Sequence, residues 1–141
     1  MRILLSILPD VLGPDLKIVF CGTAAGRKSA DLGYYYAGNG NKFWKTLFST
    51  GLTPRLLLPS EFRELIAWGI GLTDMVKDKS GMDSSLVRSD FRNNGLVEKI
   101  RKYSPKILCF NGKKAAKEFY GYDRVEYGLQ EKGVYDTRIF I

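Results

Sequence analysis

Two short apolar runs constrain this chain more than any other feature. Residues 17–21 (Lys-Ile-Val-Phe-Cys) and 106–110 (Lys-Ile-Leu-Cys-Phe) have strand length, and each empties into a glycine turn, at Gly22 and at Asn111-Gly112. Neither alternates apolar with polar residues, so each predicts a strand buried on both faces, which requires a layer of helices on either side. Helical stretches fill the space between them. Residues 41–50 place Phe43, Trp44, Leu47 and Phe48 on one face with Gly51 as the stop. Pro59-Ser60-Glu61 opens a second helix, carried by Phe62, Leu65 and Ile66 and ended by Gly69. Phe91 to Tyr103 is amphipathic and is halted by Pro105, and a further helix carries Ala115, Ala116, Phe119 and Tyr120. Gly69 to Val76 reads as a short strand or extended turn, residues 77–90 as a polar loop, and 137–141 as a last strand.

This alternation predicts an α/β fold: a three-layer sandwich with a mainly parallel central sheet flanked by helices, over residues 1–141 as one domain. Sites in such sheets lie beyond the C-terminal ends of the strands. Gly22, Asp74 and Asn111 are therefore expected to converge at one sheet edge.

The block after the first strand carries the most chemistry. Gly22-Thr-Ala-Ala-Gly26 is followed by Arg27-Lys28, then Tyr34-Tyr35-Tyr36, then Asn39 and Asn41 before Phe43-Trp44. A strand that opens into small residues leaves backbone N–H groups facing an anion or a polar ring. Cations suit phosphates and flat tyrosine faces suit stacked bases. A net charge of +7 points the same way, to an anionic partner, nucleic acid before membrane. The chain has no histidine, which excludes a histidine base or metal ligand. Cys21 and Cys109 each lie inside an apolar run and read as buried free thiols of a reducing compartment, with no metal site or cofactor called for. The opening apolar stretch ends at Pro9, too short for a membrane span and poor as a signal peptide, so a cytoplasmic monomer is expected.

The order strand, Gly-x-x-x-Gly, Gly-x-x-aromatic-Ala and Asn-Lys-Phe-Trp resembles the first motif of the mismatch-specific uracil/thymine-DNA glycosylases of the uracil-DNA glycosylase superfamily. The resemblance continues through Gly69-Ile-Gly-Leu-Thr-Asp-Met-Val76 and Pro105-Lys-Ile-Leu-Cys-Phe-Asn-Gly-Lys113, and so runs from about Leu8 to Ile141. It implies an enzyme of base-excision repair that flips out and hydrolyses uracil or a related base. The implied substrate is duplex DNA with a G:U or G:T mismatch, or single-stranded uracil DNA. It also implies a second, DNA-entering motif and a final helix beyond residue 141, so the chain reads as truncated.

A glycosylase must hold a water, place an anion near the cationic sugar and offer donors to the departing base. Where the family holds its water with Asn, this chain has Ala24, whose methyl cannot do so. Asp74, just after Thr73, is the best replacement: its carboxylate would orient water and stabilise the sugar, against a bland role as a helix cap. Asn111 could position water or read a base edge, against a role as a turn residue. Tyr36 matches the family's stacking aromatic, while Tyr34 or Tyr35 is expected to pack. Gly22, Thr23, Ala24 and Gly26 would line the base, with Thr23 and Gly26 giving backbone donors, and Asn41 would brace the loop or meet a base edge. Phe43 and Trp44 are expected in the core. Arg27, Lys28 and Lys113, with Lys42, Lys45 and Lys114, are candidate phosphate contacts because they cluster after strand ends.

Two rival readings stand beside this one. Gly22-Thr-Ala-Ala-Gly-Arg-Lys28-Ser29 nearly matches a nucleotide-binding Gly-x-x-x-x-Gly-Lys-Ser loop, but Arg27 occupies the second glycine position. Ala24 and the missing second motif also fit a nucleic-acid-binding remnant without catalysis.

Overall fold

The computed structural model describes residues 7–81 and 95–141. The opening stretch through Ser6, residues 82–90 of the expected polar loop and the start of the helix expected from Phe91 lie outside the described residues. Four strands form one sheet: β1 (Ile18–Ala25), β2 (Ile70–Ser80), β3 (Ile107–Phe110) and β4 (Arg138–Phe140). Their order is β2-β1-β3-β4 and every pairing is parallel. The layered α/β architecture expected from the sequence is the one adopted.

Helices cover both faces because both faces are apolar. On one side Phe20, Ile70 and Leu72 pack against Trp44 and Leu47 of α2 (Phe43–Ser49) and Phe62 and Leu65 of a 3₁₀ helix (Pro59–Trp68). On the other, Val19, Cys21, Leu108 and Ile139 pack against Leu96 and Ile100 of α3 (Leu96–Tyr103) and Ala115 and Ala116 of α4 (Lys113–Tyr120). A fully buried side chain such as Leu72 or Phe62 contributes about 1.5–3 kcal/mol, so β1 is held from both sides at once.

Three local expectations need correction. The first strand does not stop at Gly22. It continues extended to Ala25, with Gly22 paired to Asp74 and Ala24 to Val76, and its register breaks only between Ala24 and Ala25. The segment that nearly matches a nucleotide-binding loop therefore runs as strand before turning at Gly26. Arg27–Leu32, to which the sequence assigns no element, forms a short helix, α1. Residues 77–80, assigned to a loop, extend β2, and the helix from Pro59 is 3₁₀.

Candidate active site

The strand order itself opens a crevice. From the end of β1 the chain passes to the α2 side of the sheet, whereas from the end of β3 it passes into α4 on the opposite side. Loops leaving neighbouring parallel strands toward opposite faces part from each other, and ligands bind in such gaps. A cavity of about 320 Å³ lies here.

Gly22 sets its floor. The register places it beside Asp74 on β2, and a Cβ at Gly22 would lie 2.8 Å from Asp74 Oδ1. Only glycine lets that carboxylate lie flat against β1. Asn111 joins them because its backbone N–H donates to Cys21 O at 2.9 Å, continuing the β1–β3 ladder one residue past β3. Gly112 then turns the chain into α4 with φ of 122°, a conformation open to glycine and strained for other residues.

The loop after α1 supplies the aromatic wall. Tyr36 adopts φ of 52°, a left-handed conformation that costs a side-chain-bearing residue about 1–2 kcal/mol. Its ring stacks on Phe43 at 3.9 Å between centroids, and its hydroxyl accepts a hydrogen bond from Asn111 Nδ2. Burial, with the nearby Asp74 charge, pushes the Tyr36 hydroxyl well above the ordinary phenol range, so it stays neutral. Ser29 of α1 fixes the loop by accepting from the Ala37 N–H at 3.0 Å, and Trp44 Nε1 donates to Tyr35 O at 3.1 Å. Asn41 Oδ1 accepts from the Phe43 N–H at 2.9 Å, so Asn41 braces the start of α2.

The wall at Asp74 is ionic: Asp74 lines the cavity, and Lys77, Asp10 and Lys99 stand behind it. Asp74 is 5% exposed, and burial raises its carboxyl to about 6, against a lowering pull from Lys77 and a raising push from Asp10. Lys77 Nζ lies 3.9 Å from Asp74 Oδ2, 2.9 Å from Asp10 Oδ1 and 3.1 Å from the Tyr35 hydroxyl. Asp10 also meets Lys99 Nζ at 2.6 Å and accepts from Thr73 Oγ1 at 2.7 Å. Burial alone would raise Asp10; the Lys77 charge and hydrogen bonds from Lys99 and Thr73 outweigh it and hold Asp10 below the ordinary carboxylate range.

Gly22, Thr23, Ala24, Gly26, Tyr36, Asn41, Asp74 and Asn111 all line the cavity, as do Arg27 and Lys28 at its exposed rim. Lys113 does not: its Nζ lies 4.4 Å over the exposed Tyr127 ring. Tyr35 packs, as expected for one of the three tyrosines, at 1% exposure against Phe62. Trp44 is in the core, whereas Phe43 is the surface on which Tyr36 rests. Sequence reasoning missed Asp10, Lys77 and Lys99, and it read Ser29 only as part of the nucleotide-loop near match, not as the tie of the tyrosine loop. Among the described residues no group of histidine, cysteine, aspartate or glutamate side chains could hold a metal ion, and no helix is long and apolar enough to cross a membrane.

Residues 9–140 match the family profile described as the Uracil DNA glycosylase superfamily. Among solved structures, the chain is similar to the solution NMR structure of a candidate uracil DNA glycosylase from Methanosarcina acetivorans. The two share 26% sequence identity with a TM-score of 0.56, over 84% of this chain and 80% of the other.

Proposed function

This chain belongs to the uracil DNA glycosylase superfamily, whose substrate is DNA, and we propose that it flips uracil or a related deaminated or mismatched base out of DNA and hydrolyses the base–sugar bond. The observation that carries this reading is a buried carboxylate, Asp74, pressed against a glycine at the floor of a cavity walled by an aromatic ring. Cleaving the bond leaves positive charge on the sugar and negative charge on the base. Asp74 as carboxylate opposes the first, and it orients a water whose oxygen bonds to the sugar carbon as the base departs. One proton of that water finally resides on the base or in solvent. Backbone N–H groups of Thr23 and Gly26 stabilise the second charge.

Tyr36 gives the flipped base a surface to stack on, backed by Phe43 and oriented by Asn111. Asn111 is the second polar group within reach of the water or the base edge. Arg27 and Lys28 meet flanking phosphates, which makes binding salt-dependent. Flipping is easiest from a mismatch or a single strand, so G:U and G:T duplexes and single-stranded uracil DNA are the substrates to try first.

The test is single-turnover incubation with DNA carrying uracil, thymine or hypoxanthine in mismatched and single-stranded form, read as free base and as alkali-labile abasic sites. Release of a base from at least one substrate is expected. Salt-sensitive DNA binding without release from any substrate would instead identify a binding protein, the reading that Ala24 favours.

A further inference from the structure

The ionic wall holds a lysine that the chemistry above does not use. Lys77 is 14% exposed and has two carboxylates within reach, Asp10 at 2.9 Å and Asp74 at 3.9 Å, with the Tyr35 hydroxyl fixing its third side at 3.1 Å. A lone ammonium so enclosed loses much of its hydration, and the carboxylates must replace it. Asp10 has a second cation of its own, Lys99 at 2.6 Å, while Lys77 is the cation in ion-pair range of Asp74 among the described residues.

We infer that Lys77 is a positioning residue of this site, its ammonium divided between Asp10 and Asp74 so that the share left to Asp74 keeps that carboxylate charged and turned toward Gly22. The role attributed to Asp74 in turnover rests on the glycosylase reading; the coupling among the side chains does not. Other groups face Asp74 as well. Cys21 of β1 and Tyr36 are neutral, both pushed upward by burial. Asp10 of the N-terminal segment is negative and Lys99 of α3 positive, and both bear on Asp74. Arg27 and Lys28 line the same cavity at its exposed rim. Lys77 is thus the cation closest to Asp74 in the described ion pairs, and Asp10 its competitor.

The competition makes opposite predictions for two substitutions. Lys77→Met removes the attraction and leaves Asp10 as an unbalanced neighbour, so protonation of Asp74 moves to higher pH by about one unit or more. Asp10→Asn removes the repulsion and releases Lys77 toward Asp74, so protonation moves to lower pH. A role confined to packing would not give opposite signs.

The experiment is a ¹³C NMR titration of the full chain labelled at aspartate carboxyls, with the Asp74 signal assigned by its loss in Asp74→Asn. Upward movement in Lys77→Met, downward movement in Asp10→Asn and a near-native midpoint in Lys77→Arg are expected. Should Lys77→Met not fold, Lys77→Gln serves in its place: its neutral amide can still meet Asp10 and the Tyr35 hydroxyl, and the Asp74 midpoint rises. Midpoints that stay put, or that move in the same direction in the lysine and Asp10→Asn variants, overturn the inference. The titration needs no turnover. Shifts of the expected signs in a protein that releases no base would leave this coupling standing and remove the glycosylase reading.

Discussion

The two walls of the cavity are built on different physical terms. The wall formed by Tyr36, Asn111, Asn41 and Ser29 is neutral: each polar group meets a nearby partner, and aromatic packing on Phe43 does the rest. The other wall is Asp74, backed outside the cavity by Lys77, Asp10 and Lys99, and it is ionic and largely withdrawn from water. Neutral hydrogen bonds and ring contacts add to stability in modest steps. Buried charges repay little of their desolvation, so an apolar replacement is often as stable or more so. A carboxylate kept where the fold gains least from it points to chemistry. The neutral wall shapes the site, and the ionic wall is where a reaction would draw its charge.

The largest effect that would sharpen this contrast is that of Asp74→Asn. Its single-turnover rate is expected to fall by roughly 10²–10³, the scale of one lost preorganised electrostatic contact. The same change should stabilise the fold. Asp74 holds its proton more tightly in the folded chain, at about 6 against 3.8. Its contribution therefore favours the fold most at low pH and is lost as the pH rises through 6. At neutral pH its burial as an anion is unfavourable, and thermal unfolding of Asp74→Asn should show a gain of about 1 kcal/mol or more. Slower turnover with a lower melting temperature would mean that Asp74 is structural.

Tyr36→Ala addresses the neutral wall. Loss of one stacking surface, about 1–3 kcal/mol, should weaken binding of uracil-containing DNA by roughly 5- to 150-fold while the saturated rate changes less. A larger loss in that rate than Asp74→Asn causes would reverse the assignment of the two walls. Ser29→Ala leaves the Ala37 N–H without its acceptor and should lower stability by about 1–2 kcal/mol in a denaturant titration; an unchanged midpoint would show that the loop does not depend on this tie. The smallest effect is expected at the rim. Arg27→Ala should weaken DNA binding uniformly across sequences and reduce the slope of log affinity against log salt by about 1. Lys113→Ala, whose cation lies over Tyr127 outside the cavity, should change that slope less.

The same division governs what the sequence discloses. Apart from Asn111, which reaches Tyr36 from beyond the end of β3, the neutral wall is written continuously in Gly22 to Trp44, because its other partners lie within one loop and the turns around it. Even there the end of β1 lies three residues beyond Gly22, at Ala25. Gly22-Thr-Ala-Ala carries little β propensity, and what keeps it extended is pairing with β2 and the glycine contact with Asp74. The helix Arg27–Leu32 leaves no trace in the sequence because its six residues are too few for a periodic signal. Asp74 is legible as a residue of a strand beside the first, but it lies mid-strand, because β2 runs on to Ser80, and the parallel register with β1 is what sets its carboxylate against Gly22. Asp10 and Lys99 are not legible. Asp10, from an N-terminal segment, meets Lys77 of β2 and Lys99 of α3, all far apart in sequence, and no local spacing encodes those meetings.

If the Asp74 carboxylate supplies the charge for base removal, the single-turnover rate must follow its protonation as the pH is changed. Wild type should lose activity as the pH falls, with a midpoint about 6, because protonation removes the Asp74 carboxylate. That limb should be missing from the residual activity of Asp74→Asn. A wild-type rate that stays level between about pH 5 and 8, with Asp74→Asn turning over as fast, would contradict the claim and move the chemistry to Asn111.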